Sequence, residues 1–435
     1  MKRYLLFLIV FIGGTYASSQ EAEKIMQVKD MHKDIDYFYE KLLSIHPYPF
    51  LILSQEQWQE KVDSLKNSIT QAKTKKDFFL DMSKFNAYLD LHSSIHIPQK
   101  AVKKMKGSMV FPTFVQVGDS IFFEKEKQKY LLVNVGDNST EEIKQIFFER
   151  NSLVEPMYRP TFLNMIRRYC TYNMVEDSIK YNYKDEKGRL HTSYFVRKQT
   201  NIKPKDKTGT YLQMDTNNSV AVMRVSTFAP ANILEFRDSI ESYFQQLNKQ
   251  NIKRLYVDIT ANSGGLVALT GFLAGFFIDS KEDIYAGTWT AKSSKERDMQ
   301  KLDFILKSKE EQDQEYIQRK YTFNAQNSKP KYNGEVFVVQ SRNSYSAASV
   351  FASLIKHYYN KCTIIGEEGE IKAFYADPLM ITLPKSKFRV SLSSMFGRFV
   401  GKEKSRGVVP DIHYDIYDPT EPISLEELEK ITANK

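Results

Sequence analysis

Short apolar runs alternate with helix-period stretches between Ser219 and Glu367, and this alternation constrains the fold more than any other feature of the chain. "SVAVMRVSTF", "IKRLYVDI", "GEVFVVQ" and "CTIIGE" have the length and composition of strands buried on both faces. Between the first two lies "NILEFRDSIESYFQQLNKQN", where Ile233, Phe236, Ile240, Tyr243, Phe244 and Leu247 form one apolar face of a helix. The apolar helix "LVALTGFLAGFF" and a helix from Ser346 to about Tyr359 follow. Parallel strands need such crossovers, so the pattern predicts an α/β core around a parallel sheet.

A chain of 435 residues exceeds one simple core, and its organisation changes along its length. Residues 1–19 carry Lys2 and Arg3, an apolar run from Tyr4 to Ile12 and a small-residue exit, the layout of a secretory signal peptide. The run is short for a membrane span, so the expectation is an exported protein, periplasmic or extracellular, without stable membrane insertion after cleavage. Residues 20–100 keep apolar side chains at three- and four-residue steps and read as a helical domain, ending in a short strand at "HSSIHIP". Residues 108–202 are β-rich; there "LLVNVGDNSTEEIKQIF" ends a strand and starts a helix at Ser139 or Thr140, with Glu142 completing a capping box. "KPKDKT" (203–208) marks a boundary before the core at 208–420, in which residues 291–332 read as a polar, helical insertion.

Composition narrows the function. The net charge of +9 is spread along the chain, and its densest patch, "QKAVKKMKGSM", is a solvated face in an exported protein, not a nucleic-acid site. Cys170 and Cys362 fit no metal or redox spacing; an oxidising compartment permits them to pair without requiring it. No P-loop Lys-Ser/Thr, no H-E-x-x-H and no G-x-S-x-G occurs.

Two turns after buried strands carry possible chemistry. In "DITANSGG", Gly264 and Gly265 open a helix, where backbone N–H groups can face an anion or oxyanion; a plain βα turn looks the same. In "VFVVQSRNSYSAASVFASLIKHYY", the stripe Ala347, Val350, Phe351, Leu354, Ile355 and Tyr358 starts the helix at Ser346. A serine there is either an N-cap or a nucleophile with the Ala347 N–H beside it. A nucleophilic serine needs a base, and His92 in "DLHSSIHIP", between Asp90 and Ser93, suits that role better than a metal site with His96.

Taken in order, these motifs resemble the tail-specific (C-terminal processing) protease family, the S41 serine peptidases, from about Ser219 to Ile416. "AVMRVSTF" resembles its strand ending in S-x-F, "LYVDITANSGG" its D-x-R-x-N-x-G-G, and "VFVVQSRNSYSAASVFASLIK" the segment around its nucleophile. "IIGEEGE", "LPKSKFRVSLSSMFGR" and "GVVPDI" resemble its later motifs. The resemblance implies a ClpP/crotonase-like core, Ser346 as nucleophile, and an oxyanion hole from Ala347 and the Gly264–Gly265 turn. One branch of the family uses a lysine in T-x-G-K; Lys372 lies 26 residues after Ser346, with Gly369 and Ile371 replacing the threonine and glycine. The other uses a histidine in D-G-H-T, which "DLHS" resembles with Leu91 and Ser93 substituted. We take His92 as the base, since neutral imidazole accepts a proton near pH 7 without the depressed pKa that the alternative, Lys372, would need. Glu403 is the candidate orienting carboxylate. Thr260 replaces the family's arginine and Ser349 its glutamate; residues 109–150 resemble a PDZ domain only at "LLVNVGDNSTEEI". The expected function is a serine endopeptidase acting on peptides or unfolded proteins without metal or cofactor. A catalytically silent ligand-binding relative and a small-substrate esterase or amidase are the alternatives.

Overall fold

The structure, a computed structural model, describes residues 24–50, 52–96, 108–125, 128–150, 162–173, 175, 177–198, 209–295, 314–369, 373–401, 408–416, 419 and 421–433. The expected signal segment and the 203–208 boundary lie outside the described residues. The chain divides into two compact units: Met1–Asn201 with Lys292–Lys301 and Asp377–Ser394, and Ile202–Ala291 with Leu302–Ala376 and Met395–Lys435.

The first unit holds two cores. In one, helices Val28–Ile45, Gln55–Ser68 and Lys75–Met82 pack around Trp58, Phe38, Phe78 and Phe79. Ser54 and Gln57 form a reciprocal capping box that starts the second helix. The late turn at Lys385 and Ser386 is tied to this core because both N–H groups donate to the buried Asp34 carboxylate, at 2.8 and 2.7 Å. The strand Ser94–His96 pairs antiparallel with Arg389–Ser391. The other core lies under an antiparallel sheet ordered Ser108–Met109, Leu190–Lys198, Ser178–Lys184, Gln128–Val135, Ser120–Lys125, Phe114–Val117. Helices Thr140–Phe148 and Phe162–Tyr172 fill it with Ile143, Phe147, Met165 and Ile166. The first of these helices begins with the Ser139–Glu142 capping box expected from sequence. Cys170 is buried here, and burial pushes its thiol up to about 12, which makes it an inert core residue.

The second unit is built on a six-stranded sheet, β1 (Thr210–Asp215), β2 (Val220–Val225), β3 (Arg254–Asp258), β4 (Glu335–Gln340), β5 (Cys362–Gly366) and β6 (Ile412–His413), in that order. β1 is antiparallel to β2, and every later pair is parallel. The continuous apolar runs exist because each strand feeds two cores by alternation. Ala221, Met223, Val225, Leu255, Val257, Val336 and Val338 enter one. Val220, Val222, Tyr256, Phe337, Val339 and Ile365 enter the other, with Leu425 and Leu428 of the last helix. The crossovers are α1 (Ile233–Lys249), α2 (Val267–Gly275) and α3 (Ala347–Tyr358). α1 buries Phe236, Ile240, Phe244 and Leu247, each contributing about 1.5–3 kcal/mol relative to exposure. Ile233, expected in that stripe, is exposed because it opens the helix beside its cap, Asn232.

One expectation fails. Residues 291–332 were expected to be helical, but Tyr316–Phe323 is a strand beside Ile284–Lys292. Its outward positions carry Gln318 and Lys320, so the period of two is hidden behind charge while Ile317 is buried.

Candidate active site

Functional turns in open parallel sheets gather at the carboxyl ends of the strands, and three segments meet there after β2, β3 and β4. After β4 the chain turns through Ser341–Tyr345 and enters α3 at Ser346, whose φ is 55° and ψ −120°. For a non-glycine residue this conformation costs about 1–3 kcal/mol and is found where surrounding structure enforces it. The Ser346 side chain makes no capping bond. The N-cap reading therefore falls away: the residue holds the cap position without performing the cap's hydrogen bonding. The buried helix behind it, Ala347–Ile355 without an exposed side chain, is what pins the turn.

The glycine turn after β3 lies against it. A Cβ on Gly264 would stand 2.7 Å from Ser346 Cβ, 2.8 Å from the Tyr345 oxygen and 3.2 Å from the Ala347 nitrogen, and its φ is +105°. Gly265, with φ +138°, presses on the backbone of Phe228, where any Cβ would lie 2.2 Å from the carbonyl carbon. The Phe228 N–H donates to the Gly264 oxygen (2.9 Å) and the Leu266 N–H to the Phe228 oxygen (2.7 Å), which locks the turn beside the segment after β2. The Gly264 N–H is already given to Asn262 Oδ1 at 2.9 Å. Among the described residues no acceptor takes the N–H of Gly265 or of Ala347. Two donors thus remain open, one on Ala347 next to Ser346 at the positive end of α3 and one on the glycine turn that packs against Ser346 through Gly264.

Two family positions are altered, and neighbours compensate for them. The buried Asp258 carboxylate pairs with Arg224 of β2 at 2.9 Å and accepts the Thr260 hydroxyl at 2.7 Å. Ser349, in the first turn of α3, gives its hydroxyl to the Ser344 carbonyl in the turn before the helix, at 2.8 Å. Neither substitution leaves a buried charge without a partner.

In the first unit, His92 sits on a turn organised by Asp90. One Asp90 oxygen accepts the His92 N–H (2.9 Å) and the Ser393 hydroxyl (2.8 Å), and the other accepts His46 Nε2–H (2.9 Å). The Tyr48 N–H donates to His46 Nδ1 at 3.2 Å, which orients the ring with Nε2 toward Asp90. Burial would raise the Asp90 pKa, but the His46 and Ser93 side chains hold it at about 2. Burial pushes His92 below its ordinary value, with the Asp90 charge opposing. Sequence reasoning missed His46, since no spacing motif links positions 46 and 90. Lys372 and Glu403 lie outside the described residues. Among the described residues no three His, Cys, Asp or Glu side chains converge to hold a metal.

A parallel sheet with crossover helices and a strained serine at a helix start fit the class of serine-type peptidases. Residues 219–414 match the model of peptidase family S41, so this segment is an S41 peptidase domain, which makes the chain a serine-type peptidase whose substrates are peptides or proteins. Mature CPAF complexed with lactacystin superposes with a TM-score of 0.57 at 11% identity, over 88% of this chain and 94% of that one. Mature CPAF alone gives 0.56 at 11% identity, over 89% and 92%. These two likenesses show the fold. The photosystem II D1 C-terminal processing protease has a TM-score of 0.49 at 15% identity, over 92% and 95%. No curated protein sequence matches the chain. Among the described residues no helix is long and apolar enough to cross a membrane.

Proposed function

We propose that the chain is an exported serine endopeptidase that forms an acyl-enzyme on Ser346. The observation that carries this reading is Ser346 itself, held at φ 55° with the open N–H groups of Ala347 and Gly265 beside it. In the reaction, Ser346 Oγ attacks the scissile carbonyl while its proton passes to His92. The oxyanion is held by the two N–H groups, the protonated base gives its proton to the departing amine, and water then releases the acid by the same route. His92 is chosen over Lys372 because burial favours its neutral form, the form that accepts a proton. Export is supported by the charged start, apolar run and small-residue exit of residues 1–19.

The test is hydrolysis of casein or a labelled peptide by wild type and Ser346→Ala. Loss of the nucleophile lowers kcat on the order of 10⁶-fold. A Ser346→Ala protein with wild-type turnover would refute the assignment.

A further inference from the structure

We infer that Asn262 and Ser344 are the positioning residues of the oxyanion hole, an inference that rests on Ser346 being the nucleophile. Gly265 and Ala347 belong to turns far apart in sequence, so the spacing of their N–H groups is set by bonds between the turns. Asn262 is wholly buried and uses all four of its polar atoms. Its N–H reaches the Ile259 oxygen (3.0 Å) and its oxygen accepts the N–H of Tyr345 (3.1 Å), the residue before the nucleophile. Nδ2 donates to the Val225 oxygen at the end of β2 (2.9 Å), and Oδ1 accepts the Gly264 N–H (2.9 Å). One residue therefore ties three segments together: its main-chain oxygen holds the nucleophile turn, while its side chain fixes the glycine turn to the end of β2 and decides which glycine serves. With Gly264 bonded inward, Gly265 is the donor left for the oxyanion.

Ser344 makes the reciprocal link. Its hydroxyl donates to the Ile259 oxygen (2.8 Å) and accepts the Ser341 N–H (3.0 Å). The Ser341 hydroxyl adds a bond to the Thr260 oxygen (2.6 Å). Asn262 thus receives from the nucleophile turn, and Ser344 and Ser341 give to the segment before the glycine turn. A buried amide or hydroxyl deprived of these partners costs free energy, so the side chains stay where the bonds put them. Neither residue touches the reacting atoms, and each acts through the donors that do.

The experiment compares full-length wild type, Asn262→Ala, Ser344→Ala, Ser344→Thr and Ser346→Ala, with active sites counted by a fluorophosphonate and folding checked by circular dichroism. Asn262→Ala and Ser344→Ala should each lower kcat per active site by about 10²-fold with KM within about two-fold, the signature of a weakened oxyanion hole. A peptide aldehyde, which forms a tetrahedral adduct, should lose affinity by the same factor, while the matching peptide alcohol binds as before. Ser344→Thr keeps the hydroxyl and should stay within about three-fold of wild type. Folded Asn262→Ala and Ser344→Ala with near-normal kcat, or a loss carried by KM alone, overturn the inference while Ser346→Ala is inactive. Should Asn262→Ala fail to fold, the Ser344 pair decides. An active Ser346→Ala instead overturns the nucleophile assignment beneath it.

Discussion

Gly264→Ala is the sharpest probe of how closely the glycine turn and the nucleophile are matched. The substitution has two costs. At φ +105° an alanine is strained by about 1–3 kcal/mol. Its new methyl would lie 2.7 Å from Ser346 Cβ and 2.8 Å from the Tyr345 oxygen. Carbon atoms prefer about 3.5–4.0 Å, so the two turns must part by roughly 1 Å. A misplacement of about that size costs on the order of 10²-fold in rate. The atoms in the way belong to Ser346 and its neighbours, so the damage falls on the reaction centre before it falls on the core. Stopped-flow acylation of Ser346 by an activated ester reads the chemical step directly, and a thermal melt reports the fold. We expect a folded protein with acylation slowed about 10²-fold. Gly265→Ala differs, because its methyl would lie 2.2 Å from the Phe228 carbonyl carbon and 2.3 Å from its oxygen, main chain that cannot swing aside. That variant should lose its cooperative melt. A well-folded Gly264→Ala that acylates within about three-fold of wild type would refute the reasoning, since the turn would then not bear on the nucleophile.

Asp90→Asn removes the charge that opposes burial at His92, so the base should become more acidic and the acid limb of kcat/KM should move to lower pH. A limb that stays in place speaks against His92 as the base. The Asp90 carboxyl, held at about 2 against 3.8, adds stability that is complete above the unfolded value and lost as pH falls from about 4 toward 2. Urea midpoints across that range should fall in wild type and flatten in Asp90→Asn. Arg224→Ala strands the buried Asp258 carboxylate and should destabilise by about 3–5 kcal/mol, read as a lower denaturation midpoint; an unchanged midpoint contradicts that account.

Local periodicity carried much of this fold into view. The runs around Val222, Val257, Val338 and Ile364 are apolar on both faces because each strand is buried on both faces. The helix starts at Ser139 and Ser346 are legible because capping chemistry and the onset of a stripe are encoded within a few residues. Where solvent-facing polar and charged side chains mask the alternation, as at Tyr316–Phe323, the sequence resembles a helix although the chain is a strand.

The site was legible only as residue types. Sequence puts Ser346 at a helix start and two glycines in a turn, but it cannot say which N–H groups are already bonded. That depends on the Asn262 side chain being held by the Val225 oxygen of β2 while it takes the Gly264 N–H two residues on, and on Arg224 from the neighbouring strand meeting Asp258. The His46–Asp90 bond likewise joins side chains 44 positions apart. Strand and helix follow from interactions between near neighbours, which a sequence records. The availability of a donor and the charge beside a histidine follow from distant segments brought together, and only the folded chain decides them.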